Sequence, residues 1–153
     1  MKTLLVVSYS RSGGTEAMTN AVLQGAGDEA IDGVRVIAKS ALETSVQDVL
    51  DCAGIVLGTP ENFGYMSGAM KFFFETIYHP CLEHSQGLPY ALFVRAGNDG
   101  AGAVTSVERI VAGLKWRSVQ PPLIAVGELS PDVLDQCRDL GLTIAAGLEA
   151  GIY

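Results

Sequence analysis

A chain of 153 residues, 48% hydrophobic and with eighteen glycines, is long enough to bury roughly 68–70% of its unfolded surface in one domain spanning residues 1–153. Its formal net charge is −7, and its ten Lys and Arg are scattered. That argues against a general binder of nucleic acid or anionic membranes, which requires clustered cations. No apolar run approaches the ~18 residues of a membrane span. The N-terminal run of four aliphatics is too short for a signal-peptide core, and three cysteines without metal or CxxC spacing suit reduced thiols in a cytoplasmic protein.

Five short apolar runs bounded by turn residues predict strands: LLVV (4–7), VRVI (34–37), GIVLG (54–58), YALFV (90–94) and LIAVG (123–127). Four lack polar alternation, as strands buried on both faces of a parallel sheet do, while Arg35 marks the second as an edge. Between them lie helical segments at 15–26, 46–52, 67–79, 103–115 and 131–149, with Thr15, Ser67 and Ser130 (before Pro131) as helix-start residues. The segment 79–89 shows no helical pattern. The order βαβαβαβαβα with right-handed crossovers predicts an α/β fold, a doubly wound five-stranded parallel sheet of order 2-1-3-4-5.

Three polar, glycine-rich loops fall at the carboxyl ends of strands, where open α/β sheets bind ligands. They are SYSRSGGT (8–15), GTPENFGYMSG (58–68) and RAGNDGAGA (95–103). Turn geometry accounts for any one of them, but less well for three long ones converging on one rim. In the first loop, unpaired N–H groups at a helix start attract phosphate. Gly13 and Gly14 permit close backbone approach, Ser10, Ser12 and Thr15 offer hydroxyls, and Arg11 can add charge or point into water. Neither GxxxxGK[ST] nor GxGxxG occurs, so a monophosphate fits better than a triphosphate or dinucleotide. Glu16 would repel a close dianion and is expected to point away.

At these residues the chain resembles the flavodoxin-like flavoproteins, specifically their FMN-dependent NAD(P)H:quinone or FMN reductase branch. SYSRSGGT resembles the family's phosphate loop. GTPENFGYMSGAMKFFFE (58–75) resembles the flavin-ring loop and following helix of quinone reductases related to tryptophan-repressor-binding protein, and RAGNDGAGA takes the place of the third flavin loop. The resemblance implies FMN as cofactor and NAD(P)H as electron donor. It implies cofactor contacts from Ser8, Ser10, Arg11, Ser12, Gly13, Gly14 and Thr15, from Thr59, Pro60, Glu61, Asn62, Phe63 and Gly64, and from Arg95, Ala96, Gly97, Asn98, Asp99 and Gly102. Phe63 and Tyr65 serve either flavin packing or ordinary loop packing. Asn98 and Asp99 serve either the flavin's polar edge or an Asx-type turn.

The flavodoxin electron carriers commonly sandwich the ring between two aromatics, yet the third loop here has none, and Trp116, the single tryptophan, follows the fourth helix. One open flavin face favours an oxidoreductase passing electrons from NAD(P)H to a quinone, flavin or similar small acceptor. The alternative is a flavodoxin-type single-electron carrier serving protein partners. A phospho-receiver module is set aside because Ser8-Tyr9 and Thr59-Pro60 stand where its acidic residues belong. Phe72-Phe73-Phe74 reads as helix core or subunit contact, and a homodimer or homotetramer is an expectation of the resemblance. His79, Cys81 and His84 lack a fourth ligand for a metal. Positioning dominates transfer between stacked rings, so no catalytic acid or base is named.

Overall fold

Alternation along the strands places the core of the computed structural model, which describes residues 1–153. Strand β1 (Lys2–Ser8) sends Leu4 and Val6 to one face of the sheet and Leu5 and Val7 to the other, the period of two that a pleated backbone imposes. Both faces are buried, which is why LLVV carries no polar residue.

The order along the chain is β1, α1 (Gly14–Ala26), β2 (Val34–Ser40), α2 (Val46–Asp51), β3 (Gly54–Pro60), α3 (Gly68–Cys81), β4 (Pro89–Ala96), α4 (Ala101–Leu114), β5 (Arg117–Ser118), β6 (Leu123–Val126) and α5 (Pro131–Glu149). All pairings are parallel, in the order β2-β1-β3-β4-β5, and β6 also pairs with β4. The predicted 2-1-3-4-5 order is therefore observed. Its fifth position is filled by two pieces, of which LIAVG is the second and the two-residue β5 was not anticipated. The break at 119–122 contains Pro121 and Pro122, which have no N–H to donate to a ladder.

On one face, α3 and α4 bury Met70, Phe73, Phe74, Ile77, Val107 and Val111 against Leu5, Ile55, Leu57 and Leu92. On the other, α1 and α5 bury Met18, Val22, Ile144 and Leu148 against Leu4, Val6, Val56 and Phe93. The two helices approach closely through glycine. A Cβ on Gly141 would stand 2.0 Å from the Val22 carbonyl oxygen, and one on Gly25 1.8 Å from that of Arg138.

Three helices begin on serine caps: Ser45 Oγ accepts from Asp48 N–H, Ser67 Oγ from Met70 N–H and Ser130 Oγ from Val133 N–H. Helix α1 departs from expectation. Its cap is Gly13, in the left-handed region at φ 95°, and Thr15 is buried in the first turn. Helix α3 runs past its predicted end through Pro80. A proline in the last turn removes only one ladder donor, and there the Cys81 carbonyl accepts from His84 N–H and Ser85 Oγ–H. Phe73 and Phe74 are core, whereas Phe72 is half-exposed. Trp116 is core as well, donating to Ser85 Oγ at 2.8 Å beside Phe74 and Tyr90.

Candidate functional site

Because β1, β3 and β4 are parallel neighbours, the three loops that follow them meet at one end of the sheet. They enclose a cleft of about 450 Å³, within the range of small-ligand sites. Ser12 and Gly14 line it from the first loop, Pro60, Glu61 and Asn62 from the second, and Arg95, Ala96 and Gly97 from the third. Eight of the nineteen expected contact residues thus share one cavity.

The others divide by position. Ser8 and Ser10 face a separate groove toward β2, together with Glu16 and Lys39; Glu16 therefore does turn away from the cleft. Ser10 Oγ accepts from Gly13 N–H at 3.1 Å and so shapes the loop. Arg11 and Gly13 are exposed. Thr59 is fully buried, donating to the Pro60 carbonyl and accepting from Ser67 N–H, both at 2.9 Å. It fastens the base of the second loop from beneath.

The tip of that loop is a tight hairpin. Asn62 and Tyr65 exchange both backbone hydrogen bonds, at 2.8 and 3.0 Å. Phe63 (φ 54°) and Gly64 (φ 68°) both lie in the left-handed region, the conformation of a two-residue turn with positive φ at each centre. Glycine adopts it freely; phenylalanine does so under strain. Phe63 is also fully exposed, so its ring packs neither as core nor under the loop. Tyr65 is partly exposed, with the Lys71 ammonium 5.8 Å from its ring centre. Below, Met66 N–H donates to Ser106 Oγ, and Gly102 sits directly under the Gly64 carbonyl.

The second and third loops are tied together at the cleft. Glu61 N–H donates to the Arg95 carbonyl at 2.8 Å, and Glu61 Oε1 accepts from Asn98 N–H at 3.2 Å. Asp99 Oδ1 accepts from Ala101 N–H, an Asx-type turn, which is one of the two roles that the sequence left open for it. Gly64 and Gly102 line a shallower groove with Tyr65, Ser106 and Arg109. Neither Ser106 nor Arg109 stands out in the sequence, since only the seating of α4 beneath the hairpin brings them there. Groups of three or more His, Cys, Asp and Glu suited to a metal do not occur, and no helix is long and apolar enough to cross a membrane.

Chemically the cleft is donor-rich. Helix α1 begins there, and no side chain caps it, so its first N–H groups are open to an anion. Arg95 Nε is buried and is the only buried side-chain polar atom without a partner. An orphaned cationic donor beside a helix N-terminus suits a phosphate monoester.

This architecture, with its loops at the ends of β1, β3 and β4, is the flavodoxin-like fold. A flavodoxin from the archaea superposes with a TM-score of 0.83 at 23% identity, over 95% of this chain and 98% of that one. A flavodoxin described as WrbA-like, from Agrobacterium tumefaciens, gives 0.74 at 19% identity over 95% and 96%. In sequence, the chain is 31% identical to a flavodoxin of Aquifex aeolicus (strain VF5) over 102 residues, 67% of this chain and 54% of that one. The chain thus spans about half the length of that curated relative. No family model matches.

Proposed function

We propose that this chain binds FMN and works as a flavodoxin-type electron carrier between protein partners. The observation that carries the reading is the cleft itself, where the uncapped start of α1 meets the unpartnered Nε–H of Arg95. The donor set fits a flavin phosphate. The similar proteins named above are flavodoxins, which supports the carrier over the NAD(P)H-dependent reductase expected from sequence. When bound, FMN supplies the redox chemistry, in one- or two-electron steps. The chain's part would be to hold it: the backbone of 12–14 and Arg95 would take the phosphate, Asn62 and the Gly64 peptide would take the ring, and the Glu61–Asn98 bond ties the two loops together. Glu61 places a carboxylate in the same cleft, where like-charge repulsion would disfavour electrons added to a bound flavin.

One observation favours the reductase as a second reading. The third loop contributes no aromatic and Phe63 stands exposed at its loop tip, so a bound flavin would keep one face open to a nicotinamide or a small acceptor such as a quinone. Anaerobic stopped-flow absorbance separates the two. The FMN-loaded carrier stays oxidised when mixed with NADH or NADPH and is reduced only once a partner reductase is added. Bleaching by the nicotinamide alone, reversed by quinone over many turnovers, would overturn the carrier reading. Failure to bind FMN at all would overturn both.

A further inference from the structure

We propose that Arg95 is the specificity residue of the cleft, the fixed cation that makes it select a flavin bearing a phosphate monoester over one without it. The inference rests on the FMN reading and goes beyond it by assigning the discrimination to one side chain outside the phosphate loop.

Strand parity places that side chain. Arg95 is two residues from Phe93, whose ring is buried on the α1–α5 face, so Arg95 projects to the same side of β4 at its carboxyl end. There it lies along the first turn of α1. A Cβ on Gly14 would meet Arg95 Nε at 3.0 Å, Cγ at 3.2 Å and Cδ at 3.4 Å. Any other residue at position 14 would push the Arg95 side chain aside by a few tenths of an ångström.

The position is electrostatically unfavourable for a cation. The N-terminus of a helix carries partial positive charge and favours anions, yet Arg95 has no carboxylate partner. The ion pairs of the molecule are Lys39–Asp48 and Arg138–Asp135. Glu61, which lines the same cleft, is engaged with Asn98 N–H instead. The Arg95 guanidinium makes one hydrogen bond, from Nη1 to the Ala96 carbonyl at 3.0 Å, and its buried Nε–H makes none. A buried donor left unmade is costly, and a cation held against a helix start adds to that cost. A dianionic phosphate in the cleft relieves both, accepting from Nε–H and neutralising the two like poles together.

The test is a fluorescence titration of the apoprotein with FMN and with riboflavin, for wild type, Arg95→Gln, Arg95→Met and Arg95→Lys. Methionine keeps an aliphatic stem against Gly14, so the charge is tested apart from the packing. The neutral variants should bind FMN about ten- to a hundredfold more weakly, with riboflavin affinity within about twofold of wild type. Lysine should recover part of the difference, restoring charge without the planar fork. Neutral variants that keep the wild-type FMN-to-riboflavin ratio, or that weaken both flavins equally, would overturn the assignment while leaving FMN binding intact. A wild-type protein that binds neither flavin would instead remove the FMN reading, and the inference with it.

Discussion

Gly102→Ala tests whether the hairpin tip at 63–64 is seated on α4. A methyl group at position 102 would lie 1.8 Å from the Gly64 carbonyl oxygen and 2.6 Å from its carbonyl carbon. Both obstructing atoms are backbone, so no rotamer change relieves the overlap. Reaching even a tight 3.0 Å contact requires about 1.2 Å of movement, by the hairpin or by the first turn of α4. Overpacking of this kind costs about 1–3 kcal/mol. For a domain of this length that lowers the melting temperature by about 2–10 °C. Thermal unfolding of the ligand-free protein measures it, with Gly97→Ala as control, because nothing lies within 4 Å of a Cβ there. The hairpin borders the ring side of the proposed site, so FMN affinity should fall as well. A Gly102→Ala protein that melts with wild type would refute the seating and the role given to Gly102 as its floor.

Phe63→Asn should stabilise the protein by about 0.5–1 kcal/mol in urea unfolding, since asparagine tolerates positive φ and the ring of Phe63 is exposed; FMN affinity or partner reduction should fall in the same variant, and a loss of stability would show that the ring is anchored. Ser45→Ala should cost about 1 kcal/mol by removing the cap of α2. Burial pushes the Asp48 carboxyl up, but the Ser45 N–H, Lys39 and the Ser45 hydroxyl outweigh it and hold it below its ordinary 3.8. Below that value the unfolded chain takes up the proton first, so the stabilisation is full above about pH 4 and is lost as pH falls through the folded value; Asp48→Asn should flatten that acid limb. Burial pushes the Cys52 thiol up to about 12, and that of Cys137 to about 11 against the opposing charge of Arg138. Native protein near pH 8 should therefore resist alkylation at both, and stability should decline above about pH 9, where unfolded thiols ionise and folded ones do not. Rapid labelling of the folded protein, followed by mass spectrometry, would contradict the burial of Cys137 and the raised thiol of the partly buried Cys52.

Strands buried on both faces announce themselves as unbroken apolar runs, so β1, β3, β4 and the order of the sheet could be read directly. The second half of the broken edge strand was visible as LIAVG, while Arg117–Ser118 is too short and polar to register. Pro80 and the mixed composition of 79–89 concealed the last turn of α3, because a proline near a helix end costs little and leaves no periodic trace. The site was legible as three loops and no further. Which hydroxyls of SYSRSGGT face the cleft is set by the path of the loop, with Ser12 and Gly14 lining it while Ser8 and Ser10 look toward β2. The buried support from Thr59 is a tertiary hydrogen bond with no local signature. Arg95 could be placed at the cleft from sequence, but its orphaned Nε–H could not.

The interrupted fifth position also bears on how the molecule behaves in a crowd. Both borders of a parallel sheet offer unpaired N–H and C=O groups to any strand that drifts by, including another copy of the same chain. One border here is β2, whose exposed Arg35 and partly exposed Lys39 put positive charge where a second strand would have to dock. The other carries Ile124 and Val126 with exposed side chains, an apolar rim that invites stacking. Just before it stand Pro121 and Pro122, two consecutive residues with nothing to donate, which confine the continuous rim to the four residues of β6. An incoming strand finds too short a template to zip along. Filling the break with two residues that donate, as in Pro121→Thr with Pro122→Val, would lengthen the edge and hand the protein a route to intermolecular sheet growth.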